Sequence, residues 1–152
     1  MALRLFSQIK EDFEVLDLWE DRYRYLLDLG KTLPPFPEDL RTPEHKVSGC
    51  VSQLWLELTL EPSPEKESEY IIHLRGDSDA HIVRGLAALV FTIYDGQTPQ
   101  NALTLDIFSI LRTLNLEAHL TPQRSNGLHA LIGRIRTEIQ MLKAPPSQWQ
   151  VH

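Results

Sequence analysis

The chain has 152 residues, 42% of them hydrophobic, and a formal net charge of -6 from 15 basic against 21 acidic residues. That size and composition suit one globular unit with a real core. The lack of any run of about 18 apolar residues excludes a membrane-spanning helix, and the acidic balance disfavours a nucleic-acid partner held by phosphate neutralisation.

Met1 to Lys10 lacks the basic segment, apolar stretch and small-residue cleavage site of a secretory signal, so a cytoplasmic protein is expected. A short helix is predicted from Leu3 to about Val15. A stronger one spans about Leu18 to Leu29, with Trp19, Tyr23, Leu26 and Leu27 on one side and Gly30 as its stop. Pro34, Pro35 and Pro37 then keep the chain irregular, and His45 to Val47 is read as a brief strand leading into a loop around Cys50. Gln53 to Leu60 alternates, with Leu54, Leu56, Leu58 and Leu60 facing one way and Gln53, Trp55, Glu57 and Thr59 the other. After the polar loop Glu61 to Ser68, Tyr70 to Arg75 alternates again, so the two runs form an antiparallel pair with one dry face.

Gly76-Asp77-Ser78-Asp79 is predicted to end that strand, with Ser78 or Asp79 capping the next helix. In that helix Ile82, Val83, Leu86, Ala87, Leu89, Val90 and Ile93 are apolar almost all round, the signature of a central buried helix. Gly96 and Pro99 stop it, and a shorter helix follows at about Leu105 to Leu114. Thr121-Pro122 then supplies an N-cap and a first-turn proline for the last helix, with Leu128, Leu131, Ile132, Ile135, Ile139 and Leu142 at helical spacing. Arg134, Arg136 and Lys143 read as a solvated basic face. The order of elements gives an α+β fold, a small antiparallel β-sheet packed against helices. Residues 1–143 make a single domain and residues 144–152 a flexible tail.

Cys50 is the only cysteine, in the run Ser48-Gly49-Cys50-Val51-Ser52-Gln53-Leu54-Trp55. One cysteine excludes an internal disulfide and paired-thiol metal or redox motifs. It leaves a buried filler or a lone nucleophile. Free cysteine is usually buried, but Gly49 permits positive φ, and Ser48 and Ser52 flank the thiol with polar groups. The six histidines show no ligand spacing, and Asp77 and Asp79 fall where a cap is needed, so no metal site is expected.

Three segments together resemble the SufE family of sulfur acceptors: the Cys50 run, then Gly76-Asp77-Ser78-Asp79-Ala80-His81-Ile82-Val83-Arg84-Gly85-Leu86, then His119-Leu120-Thr121-Pro122-Gln123-Arg124-Ser125-Asn126-Gly127-Leu128. The resemblance runs from about Phe13 to Met141. It implies a fold like that of the IscU scaffolds. It also implies a protein that takes sulfur from the persulfide of a SufS-type or CsdA-type cysteine desulfurase onto Cys50 and passes it to a SufBCD-type scaffold. No cofactor of its own is implied, since the pyridoxal phosphate belongs to the desulfurase. Val51, where many relatives are polar, and the length of the Glu61 to Ser68 loop depart from the family pattern.

Sulfur transfer needs Cys50 as a thiolate, and nearby positive charge or a helix N-terminus lowers a thiol pKa. Arg124, at the start of the last helix, is the candidate for that charge, unless it pairs with a carboxylate such as Asp77. His45 is a weaker candidate base, more simply a solvated loop residue. Gly49 supplies a hinge, Asp77 and Asp79 shape the cysteine loop, and Gln53 and the outward Trp55 are partner-contact residues, unless Trp55 simply packs against the first helices. A carrier should also shelter its persulfide, so Cys50 is expected to be tucked over an apolar floor until the desulfurase docks. The expected assembly is a monomer or homodimer, and it is not an enzyme on its own. The alternatives are a CsdE-like carrier serving another desulfurase and acceptor, a stand-alone cysteine enzyme, which would need a base and an orienting residue, and an interaction module in which Cys50 is inert.

Overall fold

A helix that is apolar on every side has to be covered on every side, and the rest of the chain is arranged to do this. In a computed structural model, which describes residues 5–142, helix α3 (His81–Tyr94) has every residue buried except His81, Arg84 and Thr92. On one flank lies the antiparallel pair β1 (Leu54–Pro62) and β2 (Tyr70–Ser78), in register from Leu54 opposite Ser78 to Pro62 opposite Tyr70. Leu54, Leu56, Ile72 and Leu74 on the inner face are buried, whereas Leu58 and Leu60 are only half-covered. The period-2 pattern thus marks which face is dry.

The strand does not stop at Gly76, as the Gly-Asp-Ser composition suggests, but runs on to Ser78. Gly76 is there because the sheet lies close to α3: a Cβ at this position would sit 2.9 Å from Phe91 Cζ and 2.6 Å from the Trp55 carbonyl oxygen. A third extended segment joins the sheet as expected, through a bridge between Lys46 and Trp55 with Val47 N–H donating to Leu54 O (2.8 Å) and Leu56 N–H to His45 O (2.9 Å). This segment pairs with the edge of β1. Trp55, on the other face of that strand, is buried with the Arg41 guanidinium 4.9 Å from its ring centroid, and is no outward contact residue.

On the other flank α1 (Phe6–Val15) and α2 (Trp19–Gly30) pack on α3. Arg22 closes the corner between them by donating to the carbonyls of Leu16 (2.7 Å) and Phe13 (2.8 Å). Gly30, the last residue of α2, and Gly85 make the crossing so close that a Cβ on Gly85 would lie 2.1 Å from Leu26 O. Pro99 begins a helix instead of merely stopping one. Thr98 caps α4 (Pro99–Thr104), a helix the sequence pattern does not predict, and Asp106 caps α5 (Ile107–Arg112), the shorter helix expected at about 105–114. Extended Leu105 separates the two.

The long α6 (Pro122–Met141) starts as its sequence predicts, with Thr121 Oγ1 accepting from Arg124 N–H. Its buried face, including Leu128, Leu131, Ile132, Ile135 and Ile139, completes the core against α3 and α4. Among the described residues no helix is long and apolar enough to cross a membrane. Lys143 and the tail 144–152 lie outside the described residues.

Candidate functional site

Cys50 lies on the loop between Lys46 and Trp55, whose two ends are tied by their bridge. Gly49, just before it, has φ +91°, a conformation an L side chain rarely adopts. At the far end of the loop the backbone of Gln53 is clamped. Its N–H donates to Asp79 Oδ1 (3.0 Å), while its carbonyl accepts from Ser78 Oγ (2.6 Å) and Asp79 N–H (3.2 Å). Asp79 thus shapes the cysteine loop from the adjacent turn, as expected, and does so together with Ser78, where the sequence pattern puts Asp77 beside it. Ser78 and Asp79 do not cap α3: its N-cap is Ala80, which has no side-chain hydrogen bond of this kind. Asp79 reaches across to the Gln53 N–H, and Ser78 Oγ donates to the Gln53 carbonyl while accepting from the Ala80 N–H (3.1 Å).

Asp77 holds the approach to the loop. Arg41 Nη2 donates to its Oδ2 (2.7 Å), Arg84 Nε lies 2.9 Å from its Oδ1, and the Ser78 N–H donates to Oδ1 (2.7 Å). The carboxylate therefore ties the segment before the cysteine to β2 and α3. It pairs with Arg41 and Arg84, not with Arg124.

The loop rests on one face of α6, made by Gly127, Ala130 and Arg134 at spacings of three and four residues. A Cβ on Gly127 would come 3.1 Å from Cys50 Sγ, and a Cβ on Gly49 would come 3.3 Å from Ala130 Cβ. One turn further, Arg134 donates to the carbonyls of Lys46 (2.8 Å) and Glu44 and pairs with Glu138. Arg134 is therefore no part of a solvated basic face; its fork grips the backbone leading to the cysteine. Arg136 likewise donates to Leu105 O (3.3 Å). The sequence pattern puts Arg134 on the wrong surface and gives Gly127 no role of its own. A glycine in the interior of a strongly patterned helix was the available signal, since it disfavours the helix unless a neighbour requires it.

Cys50 is half-buried and opens into a pocket of about 250 Å³. Ile82 and Val83 of the first turn of α3 form an apolar wall, Thr121, Gln123 and Arg124 of α6 the polar one, and Val51 a rim that is 78% exposed. The tucked resting position expected of a carrier is the one observed. The electrostatics are opposite to expectation. Burial pushes the Cys50 thiol above its ordinary value, the Asp79 carboxylate adds to this, and a backbone hydrogen bond from Ser52 offsets only part of it. Arg124 lines the same pocket, but its guanidinium lies over the Tyr23 ring, 5.5 Å from the centroid. His45 Nδ1 is engaged by the Thr42 hydroxyl at 2.9 Å. Cys50 at rest is thus a sheltered, protonated thiol at neutral pH. Among the described residues no group of three or more His, Cys, Asp or Glu is placed to hold a metal ion.

Residues 7–139 match the SufE family, described as an Fe-S metabolism associated domain. A SufE-like protein of Rhizobium etli is 48% identical over 138 residues, covering 91% of this chain and 91% of that one. A SufE-like protein of Rhizobium meliloti is 45% identical over 134 residues, or 88% of this chain and 94% of that one. The solution structure of a hypothetical protein from Thermus thermophilus superposes with a TM-score of 0.71 over 95% of this chain and 100% of that one. At 23% identity that likeness shows the α+β fold. A match that takes in the cysteine loop, the Ser78–Asp79 turn and the start of α6 leaves one assignment: the chain belongs to the SufE family, sulfur carriers of iron–sulfur metabolism.

Proposed function

We propose that Cys50 accepts sulfur from the persulfide of a SufS-type cysteine desulfurase and carries it to a SufBCD-type scaffold. The observation that carries this reading is the placement of the chain's one thiol, half-buried on a hinged loop beside a solvent-open pocket. In the transfer, Cys50 Sγ as thiolate attacks the outer sulfur of the donor persulfide. One S–S bond forms on Cys50, the donor S–S bond breaks, and the desulfurase cysteine leaves as thiolate with no net oxidation. The Cys50 proton has to be lost first, and the resting site opposes this. Docking therefore has to draw the loop off its seat, with Gly49 as pivot, into a setting that favours the thiolate. Removing sulfur from the desulfurase is how such a carrier stimulates it. The exposed Val51 and the Gln53 and Arg124 side chains beside the pocket are the contact residues this docking would use. The carrier brings no cofactor to the step, because the pyridoxal phosphate is the desulfurase's.

Incubation with a SufS-type desulfurase and free cysteine, followed by intact-mass measurement, tests the proposal. The protein should gain sulfur on Cys50 and raise the rate of desulfuration, and Cys50→Ser should lose both. Turnover by the protein without a desulfurase would identify a stand-alone enzyme, and no gain of sulfur would leave an inert interaction module.

A further inference from the structure

We propose that Gly127 is the positioning residue that parks the Cys50 sulfur, so that the residue at 127 sets how far the resting thiol is withdrawn from solvent. The inference deepens the sulfur-carrier reading only in saying what the parking serves; the contact itself does not depend on it.

Glycine is the poorest helix former after proline, yet Gly127 sits in the second turn of the long α6 and is buried. A Cβ there would meet only one residue: Cys50 Sγ at 3.1 Å and Cys50 Cβ at 3.9 Å. A carbon–sulfur approach of 3.1 Å is well inside van der Waals contact, since even two carbons settle at roughly 3.5–4.0 Å. The missing Cβ is thus the space the sulfur occupies. The obstruction is the tip of a short side chain on a loop hinged at Gly49, so an added methyl would displace the sulfur while leaving the helix in place. Yielding by a few tenths of an ångström loosens the thiol in the niche whose burial raises its pKa, so both the exposed fraction and the thiolate fraction should rise.

Gly133 provides an internal control. It lies on the same helix, is exposed, and a Cβ there meets nothing within 4 Å. The rate of Cys50 alkylation by a bulky maleimide, measured across pH on the free protein, separates the two sites. Gly133→Ala should leave the rate unchanged and raise the thermal midpoint through helix propensity alone. Gly127→Ala should speed alkylation at pH 8 by about tenfold for each unit by which the thiol pKa falls toward its ordinary value. Cys50→Ala removes the obstructing sulfur, and adding Gly127→Ala to it should raise the midpoint as Gly133→Ala does.

The proposal is overturned if Gly127→Ala alkylates at the wild-type rate with an unchanged pH profile. It is equally overturned if the substitution at 127 changes the midpoint by the same amount with and without the sulfur. If Gly127→Ala alone fails to fold, the Cys50→Ala, Gly127→Ala protein decides: folding supports the sulfur as the obstruction, and failure sinks it. Loading of wild-type Cys50 by a desulfurase is measured separately, so loss of the carrier reading would not be mistaken for loss of the seat.

Discussion

Gly85 and Gly127 both stand in helices where alanine would be the better helix former, and both are required by a neighbour, but the neighbours differ in kind. At Gly85 the obstacle is the Leu26 carbonyl, backbone of a helix packed on α3. At Gly127 it is the end of the Cys50 side chain, on a loop that can turn. The first contact is rigid on both sides and makes the core. The second is rigid on one side only and makes a resting place. Glycine in a helix therefore marks close approach in both regions, and what approaches decides whether the result is stability or a movable group.

The largest expected effect comes from the rigid side of this comparison. Gly85→Ala should cost about 3 kcal/mol, the upper end of overpacking, because neither helix backbone can yield to a carbon 2.1 Å from an oxygen. A denaturant midpoint measures it. A loss no greater than that of Gly127→Ala would break the distinction between the two glycines.

A smaller effect is expected where the loop is held from below. Arg134→Ala removes the donors to Lys46 and Glu44 and should cost about 1–2 kcal/mol, as loss of charged hydrogen bonds from a half-exposed site does. Amide exchange should quicken around 44–50 while α3 keeps its protection. Arg134→Lys should not rescue it, since a single ammonium cannot reproduce the fork. Rescue by lysine would mean that charge, not geometry, holds the segment.

The smallest change sharpens the electrostatic half of the comparison. Asp79→Asn keeps an oxygen to accept the Gln53 N–H but removes the charge, so the thiol pKa should fall. The fall should be less than in Gly127→Ala, because burial is the larger cause of the raised value. The linked stability has a definite sign. The folded protein holds the thiol proton more tightly than the unfolded chain, so stability declines as pH rises above the ordinary thiol value of about 8.5. Asp79→Asn should shallow that decline and Cys50→Ala should abolish this contribution, as thermal midpoints between about pH 7.5 and 10 would register. A steeper decline in Asp79→Asn would contradict the role given to the carboxylate.

The elements and the family were legible because their signals are local. The alternation of Leu54 to Leu60, the all-round apolar run from Ile82 to Ile93 and the Thr121-Pro122 start of α6 each state which surfaces are dry or which amide is capped. So too was the singular thiol beside a glycine, whose positive φ the fold uses. The partners of the polar side chains were not legible. Asp77 reaches Arg41 and Arg84, Asp79 reaches Gln53, and Arg134 reaches Glu44 and Lys46 across separations no periodicity encodes.

The sign of the Cys50 pKa shift belongs to that second class. Sequence placed a basic residue at a helix start in the same family segment order, and from that a lowered value follows; folding turned Arg124 onto Tyr23 and pressed the sulfur against Gly127. Chain pattern determined that one thiol would be presented on a strand-entry loop. Only the tertiary structure decided that its pKa would be raised and not lowered, because desolvation depends on what covers a group and not on what neighbours it in the chain.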